Sequence, residues 1–208
     1  MSEMELIVLT GFENLDRFLS VPPEKTALTG KLLLASPFMN DSMFAGSVVL
    51  ISAHSKDAGA IGFIINQPTS EILSDNYAKW LSNTSASSKI FKGGPVEHDV
   101  IMGLGHSTDQ LPTSQGLYEL EHNLVVLDLE EASTDDTKEI HQLRLFKGYS
   151  GWTPGQLEAE IQAEGWLIAE SSTMDPFTPR PENLYEKVIR RQLGGLTEYY
   201  PTETLSLN

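Results

Sequence analysis

Cysteine is absent from the 208 residues of this chain. Its absence excludes disulfide bonds, thiolate zinc sites, iron–sulfur clusters and cysteine nucleophiles. Long apolar runs are also absent, since stretches such as Leu32–Ala35 and Val48–Ile51 fall far short of the roughly 18 residues that cross a membrane. The chain begins MSEME, which is acidic where a secretory signal is basic. We therefore expect a cytoplasmic protein without a membrane segment.

Basic residues are scarce: 14 lysines and arginines stand against 29 aspartates and glutamates, which gives a formal net charge of −15. A field of that sign repels phosphate backbones and anionic membrane surfaces. The charge is uneven, because residues 119–139 hold eight acidic side chains and one lysine, whereas residues 180–191 hold four basic and two acidic ones. The basic cluster is more typical of a solvated helix face than of a binding patch. Direct DNA binding is therefore not expected.

The remaining composition, 40% apolar and 21% charged residues, is typical of a globular domain. Two apolar runs, residues 47–54 and 60–66, flank a polar connection that contains Gly59, and this pattern predicts a hairpin. Both runs are almost continuously apolar, so we expect a sheet that is buried on both faces or closed on itself.

Other segments complete an α+β pattern. Further strands are predicted at 30–37, where Pro37 ends the strand, and at 89–92, 100–104, 117–120, 124–129, 143–147 and 166–170. Helices are predicted at 71–81, 153–165 and 182–193, with a further short one in the acidic segment before residue 143.

The clearest helix start is Thr153-Pro154-Gly155-Gln156. In a capping box of this kind, Thr153 accepts from the Gln156 amide while the Gln156 side chain returns to the Thr153 amide, and Pro154 suits the first helical position. In the last predicted helix, one face carries Leu184, Val188 and Ile189.

None of the familiar catalytic motifs is complete. Gly148-Tyr149-Ser150-Gly151-Trp152 resembles a nucleophile elbow, but Trp152 stands where the strained turn needs glycine. Gly103-Leu104-Gly105 has only two glycines of a dinucleotide-binding loop and no predicted helix behind it. The five histidines lack the helical spacing of a zinc hydrolase. No catalytic residue, metal site or cofactor is therefore predicted.

Four features are candidates for ligand binding. Gly93-Gly94-Pro95 permits close backbone approach to a ligand, although a tight turn is the commoner reason for such a triplet. Asn66 is placed either to cap the predicted 71–81 helix, which we favour, or to bind a ligand. His106 is expected in a loop among glycine and serine residues. Trp152 packs on the sheet or, if exposed, marks a binding surface.

An ordered set of motifs runs along residues 28–170. It comprises LTGKLLLASP (28–37), FAGSVVL (44–50), His54, GAIGFIINQP (59–68), GGPV (93–96), His106, GYSGWTPGQLEAEI (148–161) and WL (166–167). This set resembles the AlgH/YqgE family of small bacterial proteins. The resemblance implies an α+β fold in which mixed, largely antiparallel sheets curl into a pseudo-barrel with three or four flanking helices. It implies little about activity: the family is treated as uncharacterised, and one branch is described as a transcriptional regulator of alginate production, without a recognisable DNA-binding motif.

The resemblance divides the chain into three parts. We expect residues 28–170 to form the AlgH/YqgE-like domain, preceded by an N-terminal extension at 1–27. Residues 171–208 are expected to form a helical C-terminal extension that packs on the same domain. Nothing transfers from the family to the N-terminal extension, to the acidic segment at 119–139 or to the helix at 180–191.

Three functions are compatible with these observations. The leading hypothesis is a non-enzymatic protein that binds an unidentified protein or small-molecule partner, with at most an indirect regulatory role. An alternative is a small-molecule or nucleotide-binding enzyme whose site gathers Asn66, Gly93, Gly94 and His106, with Glu160 as an acid or base. A third hypothesis, direct transcriptional regulation, requires a helix that presents Lys187, Arg190 and Arg191 outward.

Overall fold

The predicted hairpin lies within a curled sheet. The computed structural model describes residues 28–39, 41–72, 77–81, 89–108, 111, 114–120, 123–135 and 137–192. Within these residues the strands are β1 (Leu32–Ala35), β2 (Val48–Ser55), β3 (Gly59–Ile64), β4 (Pro68–Ile72), β5 (Lys89–Lys92), β6 (Val96–Ser107), β7 (Leu117–Glu119), β8 (Leu124–Asp128), β9 (Ile140–Trp152) and β10 (Trp166–Ala169). The helices are α1 (Ala78–Leu81), α2 (Gln156–Gln162) and α3 (Leu184–Arg191), with 3₁₀ turns at Asp175–Phe177 and Pro181–Asn183.

The strands pair in the order β10-β1-β2-β3-β9-β6-β8-β7, while β5 pairs with β4 and β9 off this path. The described pairs are antiparallel except β5 with β9, which is parallel. The sheet curls into a half-barrel with a few helices beside it. The predicted α+β fold with a largely antiparallel, curled sheet is therefore confirmed.

Strand β9 joins the two halves of this sheet. Its residues 150–152 pair with β3, whereas residues 140–149 pair with β6 and residues 145–147 also pair with β5. Gly148 lies where the strand changes partner and has a φ of +67°. A Cβ atom there would lie 2.6 Å from the Val96 carbonyl oxygen, so the crossing requires glycine.

Apolar side chains cover both faces of the sheet, as the continuous apolar runs predict. On the inner face, which the half-barrel encloses, the buried side chains include Leu34, Leu50, Phe63, Leu104 and Phe146. Helix α3 lies against this face through the predicted residues Leu184, Val188 and Ile189. On the outer face, Leu157 of α2 packs with Trp152 and Trp166, and Trp80 of α1 packs with Leu127, Leu143 and Leu145.

An ion pair holds the end of α3. Both nitrogens of the Arg191 fork donate to the Asp175 carboxylate, at 2.8 and 2.6 Å, and this hydrogen bonding raises the pKa of Arg191. Asp175 is fully buried and also accepts from the Ser172 amide at 2.8 Å. The pair therefore joins the last helical turn to the segment that follows β10.

The predicted helix at 71–81 is wrong over its first part. Residues Pro68–Ile72 form β4, because this segment pairs with β5. Glu71 is fixed there by Lys147, whose Nζ donates to both carboxylate oxygens at 2.9 Å. The short helix expected before residue 143 is also wrong, because turns and irregular chain occupy the described residues 129–135 and 137–139. The strands predicted at 100–104 and 143–147 are the middle portions of the longer β6 and β9.

The capping box at residue 153 is half confirmed. The Thr153 amide donates to Oε1 of Gln156 at 3.0 Å, as predicted. The Gln156 amide, however, donates to the Thr153 carbonyl oxygen rather than to its hydroxyl. Gly155 has a left-handed φ of +78°, so helix α2 begins at Gln156 and not at Pro154. None of the helices in the described part of the chain is long and apolar enough to cross a membrane.

Asp175→Asn tests the ion pair at the end of α3. We expect the free energy of unfolding to fall by about 2–3 kcal/mol, because Arg191 loses a buried counter-charge. Urea unfolding followed by circular dichroism measures the change. Glu186→Gln is the control, since it removes an exposed pair with Arg190 on the same helix and should cost less than about 0.5 kcal/mol. Equal losses in the two variants would contradict a special role for Asp175.

Candidate functional site

The Gly93-Gly94-Pro95 turn is filled by the chain itself. A Cβ atom on Gly93 would lie 2.0 Å from the Gly148 carbonyl oxygen, and one on Gly94 would lie 2.3 Å from the Tyr149 carbonyl carbon. The Gly93 carbonyl accepts from the Ile64 amide at 2.8 Å and from the Ser150 hydroxyl at 3.1 Å. Only Pro95 is exposed. The two glycines thus allow the backbone of β9 to approach closely. This observation favours a structural turn over a ligand-binding site as the reason for the triplet.

Asn66 is occupied by backbone groups. Its Oδ1 accepts from the Val48 amide at 2.8 Å, and its Nδ2 donates to the Gly46 carbonyl at 2.9 Å. The expected cap of a helix at residue 71 is wrong, because Glu71 belongs to β4. The side chain of Asn66 instead fixes the turn that leads into β2.

Trp152 and Glu160 lie together on the outer face. Oε2 of Glu160 accepts from the indole nitrogens of Trp152 at 2.9 Å and Trp166 at 2.8 Å, while Oε1 accepts from Gln156 at 3.0 Å. The two indoles meet edge to face, and Phe44 packs on both. Trp152 is buried, so it packs on the sheet rather than forming an exposed surface. Glu160 therefore ties α2 to the sheet through two hydrogen bonds, one to each indole.

His106 lies on strand β6, so the loop expected around it is wrong. The register places His106 opposite Gln142 of β9, whereas Val96, just after Gly94, lies opposite Tyr149. Seven residues of strand separate these positions on β9, a distance of roughly 23 Å. That exceeds the span of one ordinary ligand pocket. The structure therefore does not bring His106 together with the glycine turn, and Glu160 lies on the opposite face of the sheet.

A polar group that the sequence did not reveal lies on the inner face beside His106. Leu143 and Leu145 point outward, so Gln142 and Arg144 point inward with Phe146. His106 faces the same side because it is the cross-strand partner of Gln142. We call His106, Gln142 and Arg144 the inner polar group.

Arg144 is the buried cation of this group, with 7% of its surface exposed. Its guanidinium carbon lies 4.1 Å from the centre of the Phe91 ring, and Nη2 donates to the Thr178 carbonyl at 3.0 Å. Nη1 is buried and has no hydrogen-bond acceptor among the described residues, and Oε1 of Gln142 likewise has no donor there. Burial lowers the pKa of Arg144 to about 10, so the guanidinium remains charged at neutral pH.

The alternation of residues 142–146 could have revealed the inner polar group. Gln142, Arg144 and Phe146 are spaced two residues apart, and this spacing puts their side chains on the same side of a strand. The pairing of β9 with β6 decides which side of the strand faces the inside of the half-barrel. The local sequence pattern carries no information about that pairing.

Glu97 is a half-buried residue with a shielded carboxylate that sequence reasoning missed. It has a φ of +46° and lies where the register between β6 and β9 shifts. Both carboxylate oxygens are buried without a hydrogen-bond donor among the described residues, and burial raises the pKa of Glu97. Burial, reinforced by the charge of Glu97, raises the pKa of Tyr149 as well. Among the described residues, no group of three or more histidine, aspartate or glutamate side chains is placed to hold a metal ion.

This fold defines a class of α+β proteins built on one curled, largely antiparallel sheet. The model of the AlgH-like family matches residues 32–197. A UPF0301 protein of Streptomyces avermitilis is 36% identical over 178 residues, which cover 83% of this chain and 91% of the relative. A UPF0301 protein of Streptomyces coelicolor is 35% identical over 178 residues, with coverage of 83% and 91%. The chain belongs to the AlgH-like family, as its ordered motifs predicted.

Two solved structures share the fold. A crystal structure of a Corynebacterium diphtheriae protein has a TM-score of 0.74 and 26% identity, covering 88% of this chain and 96% of that one. The solution structure of AlgH from Pseudomonas aeruginosa has a TM-score of 0.64 and 26% identity, covering 83% and 92%. The curled sheet is therefore common to these three proteins.

Glu160→Ala tests the link between α2 and the sheet. We expect the free energy of unfolding to fall by about 2–4 kcal/mol, because two buried indole N–H groups lose their acceptor. Urea unfolding followed by tryptophan fluorescence reports both stability and the environment of the indoles. The control is Gln162→Ala, an exposed position on the same helix. Unchanged stability in Glu160→Ala would show that the carboxylate is not needed.

Glu97→Gln tests the buried carboxylate. Because the folded state raises the pKa of Glu97, the stability this group contributes is present below its unfolded pKa and is lost as pH rises through its folded pKa. Glutamine does not ionise, so we expect the variant to be more stable than the natural chain at pH 7. The gain should shrink as the pH falls toward 4. Urea midpoints between pH 4 and 8 measure it.

The control for this experiment is Glu119→Gln, which changes an exposed carboxylate on β7. A gain from Glu97→Gln that is the same at pH 4 and pH 7 would contradict the assignment to ionisation.

Proposed function

We propose that this chain is a non-enzymatic, cytoplasmic binding protein that holds a small anionic ligand at the inner polar group. One observation carries the proposal: Nη1 of Arg144 is buried and meets no acceptor among the described residues. A buried cation without a counter-charge is costly to keep. A chain retains such a group where it serves a function rather than stability.

The surroundings of Arg144 suit an anion. The Phe91 ring covers the guanidinium and the Thr178 carbonyl occupies Nη2, which leaves Nη1 for a further acceptor. Leu104 and Phe146, its neighbours across and along the sheet, are fully buried and apolar. Such surroundings strengthen a charge-assisted hydrogen bond. Although the chain is acidic overall, none of its described carboxylates pairs with Arg144.

Ligand entry requires movement of the protein. Nη1 of Arg144 and Oε1 of Gln142 are closed to solvent, and the chain at Phe177 and Thr178 lies over this group. We therefore expect the ligand to enter as that short segment moves aside. The segment is held by its carbonyl contact to Arg144, by the packing of Phe177 on the inner face and by the Asp175–Arg191 pair, so entry must overcome all three.

The enzyme alternative has less support. It depended on Asn66, the two glycines, His106 and Glu160 meeting in one site. Asn66 and Glu160 use their polar atoms in hydrogen bonds to the chain, and His106 lies well away from the glycine turn. A binding role needs only the inner polar group.

Direct transcriptional regulation also has less support. It required three cations of α3 to point outward, but Arg191 is tied to Asp175 and Arg190 is paired with Glu186. Lys187 is exposed and forms no such pair with any residue that the structure describes. With a net charge of −15, a single lysine does not overcome repulsion from a phosphate backbone. Any regulatory effect would then follow indirectly from the bound ligand.

Arg144→Met tests the proposed function. We expect the Tm of the natural chain to rise in sodium acetate relative to sodium chloride of equal ionic strength. At ten times Kd the gain is about 1.4 kcal/mol, or roughly 3–5 °C. The variant should lose this response, while its Tm without acetate should be unchanged or higher, because methionine fills the space without a buried charge.

Lys187→Met is the matched control, because it removes an exposed cation and should leave the acetate response intact. Differential scanning fluorimetry at pH 8 measures all three proteins. If Arg144→Met is strongly destabilised and no anion raises the Tm of the natural chain, Arg144 is a structural residue and the proposal fails.

A further inference from the structure

We infer that the ligand of the inner polar group is a small hydroxycarboxylate carrying one negative charge. This inference rests on the proposed function and names its ligand class. The inference is argued from two buried atoms that have no partner among the described residues. One is a donor, Nη1 of Arg144, and the other is an acceptor, Oε1 of Gln142.

The first step concerns charge. Arg144 is the one cation that strand β9 places on the inner face, because Lys147 alternates to the outer side and is bound to Glu71 there. A monoanion therefore neutralises the site. A dianion, such as a phosphate monoester, would leave one uncompensated negative charge among buried apolar side chains, which is costly. A carboxylate matches this single cation.

The second step concerns the neighbouring acceptor. Oε1 of Gln142 is buried and meets no donor among the described residues. Gln142 and Arg144 lie two residues apart on the same face of β9, so their Cα atoms are separated by roughly 7 Å. Once residues 177–178 have moved aside, a ligand of a few heavy atoms would bridge this spacing, with its carboxylate accepting from Nη1 of Arg144 and a hydroxyl donating to Oε1 of Gln142.

This arrangement distinguishes three simple ligand chemistries. A plain carboxylate satisfies Arg144 but leaves the Gln142 oxygen without a donor, and that omission is costly in a buried site. An amino acid supplies a donor but places an ammonium charge beside the guanidinium, where it is repelled. A hydroxycarboxylate satisfies both atoms and leaves the site neutral.

Isothermal titration with sodium glycolate, sodium acetate and sodium phosphate tests the inference. The buffer is held at pH 8, above the reference pKa of about 6.5 for imidazole. We expect the full chain to bind glycolate about tenfold more tightly than acetate, as one additional buried hydrogen bond implies. Phosphate should bind more weakly than glycolate.

Two variants assign the preference to its residues. Gln142→Leu should bind glycolate and acetate equally, because leucine cannot accept a hydrogen bond from the glycolate hydroxyl. Arg144→Met should bind neither anion. Lys187→Met, the exposed control, should retain the tenfold preference. The comparison of glycolate with acetate in the natural chain remains decisive if a variant fails to fold.

The outcomes separate this inference from the proposed function. Equal affinity for glycolate and acetate, with both lost in Arg144→Met, overturns the hydroxycarboxylate and leaves anion binding standing. Tighter binding of phosphate than of glycolate overturns the charge argument. If none of the three anions binds the natural chain, the inference and the proposed function both fail.

Discussion

The close crossing of two backbone segments, residues 93–94 and 148–150, is the constraint on which the half-barrel depends. At this point β9 passes from its partners β5 and β6 to its partner β3. A side chain on Gly93 would collide with the Gly148 carbonyl, so the two strands approach at a distance that only glycine permits. The same strand then carries Gln142 and Arg144 onto the inner face. The crossing thus sets both the shape of the sheet and the position of its polar group.

Several buried or half-buried polar side chains hold elements of the fold together. Asn66 fixes the turn before β2, Glu160 joins α2 to two tryptophans, and Asp175 binds Arg191 at the end of α3. Arg144 and Glu97 differ, because each keeps buried atoms that no described residue satisfies. Glu97 lies on β6 and Arg144 lies on its neighbour β9. Buried polar atoms without partners often mark functional sites, so we expect the function to involve these two strands.

Local patterns predicted the elements whose environment is local. The hairpin follows from two continuous apolar runs around a polar connection, and the buried face of α3 follows from a period of 3.6 residues; both were confirmed. The predicted helix at 71–81 is wrong at residues 71–72, because β5 pairs with residues 68–72, and it is confirmed at residues 78–81. The inner polar group was missed for a related reason: the face of Arg144 depends on the register of β9 with β6. Sequence spacing alone does not contain that register.

The pairing of β1 with β10 has a consequence for how the chain is made. Leu32 pairs with Ala169, so one edge of β1 stays open until nearly all of the domain has left the ribosome. The inner face likewise waits for Val188 and Ile189. Contacts between residues so distant in sequence form slowly, and exposed strand edges promote aggregation in the meantime. The nascent chain must therefore remain soluble until residue 189 has emerged and the sheet can close.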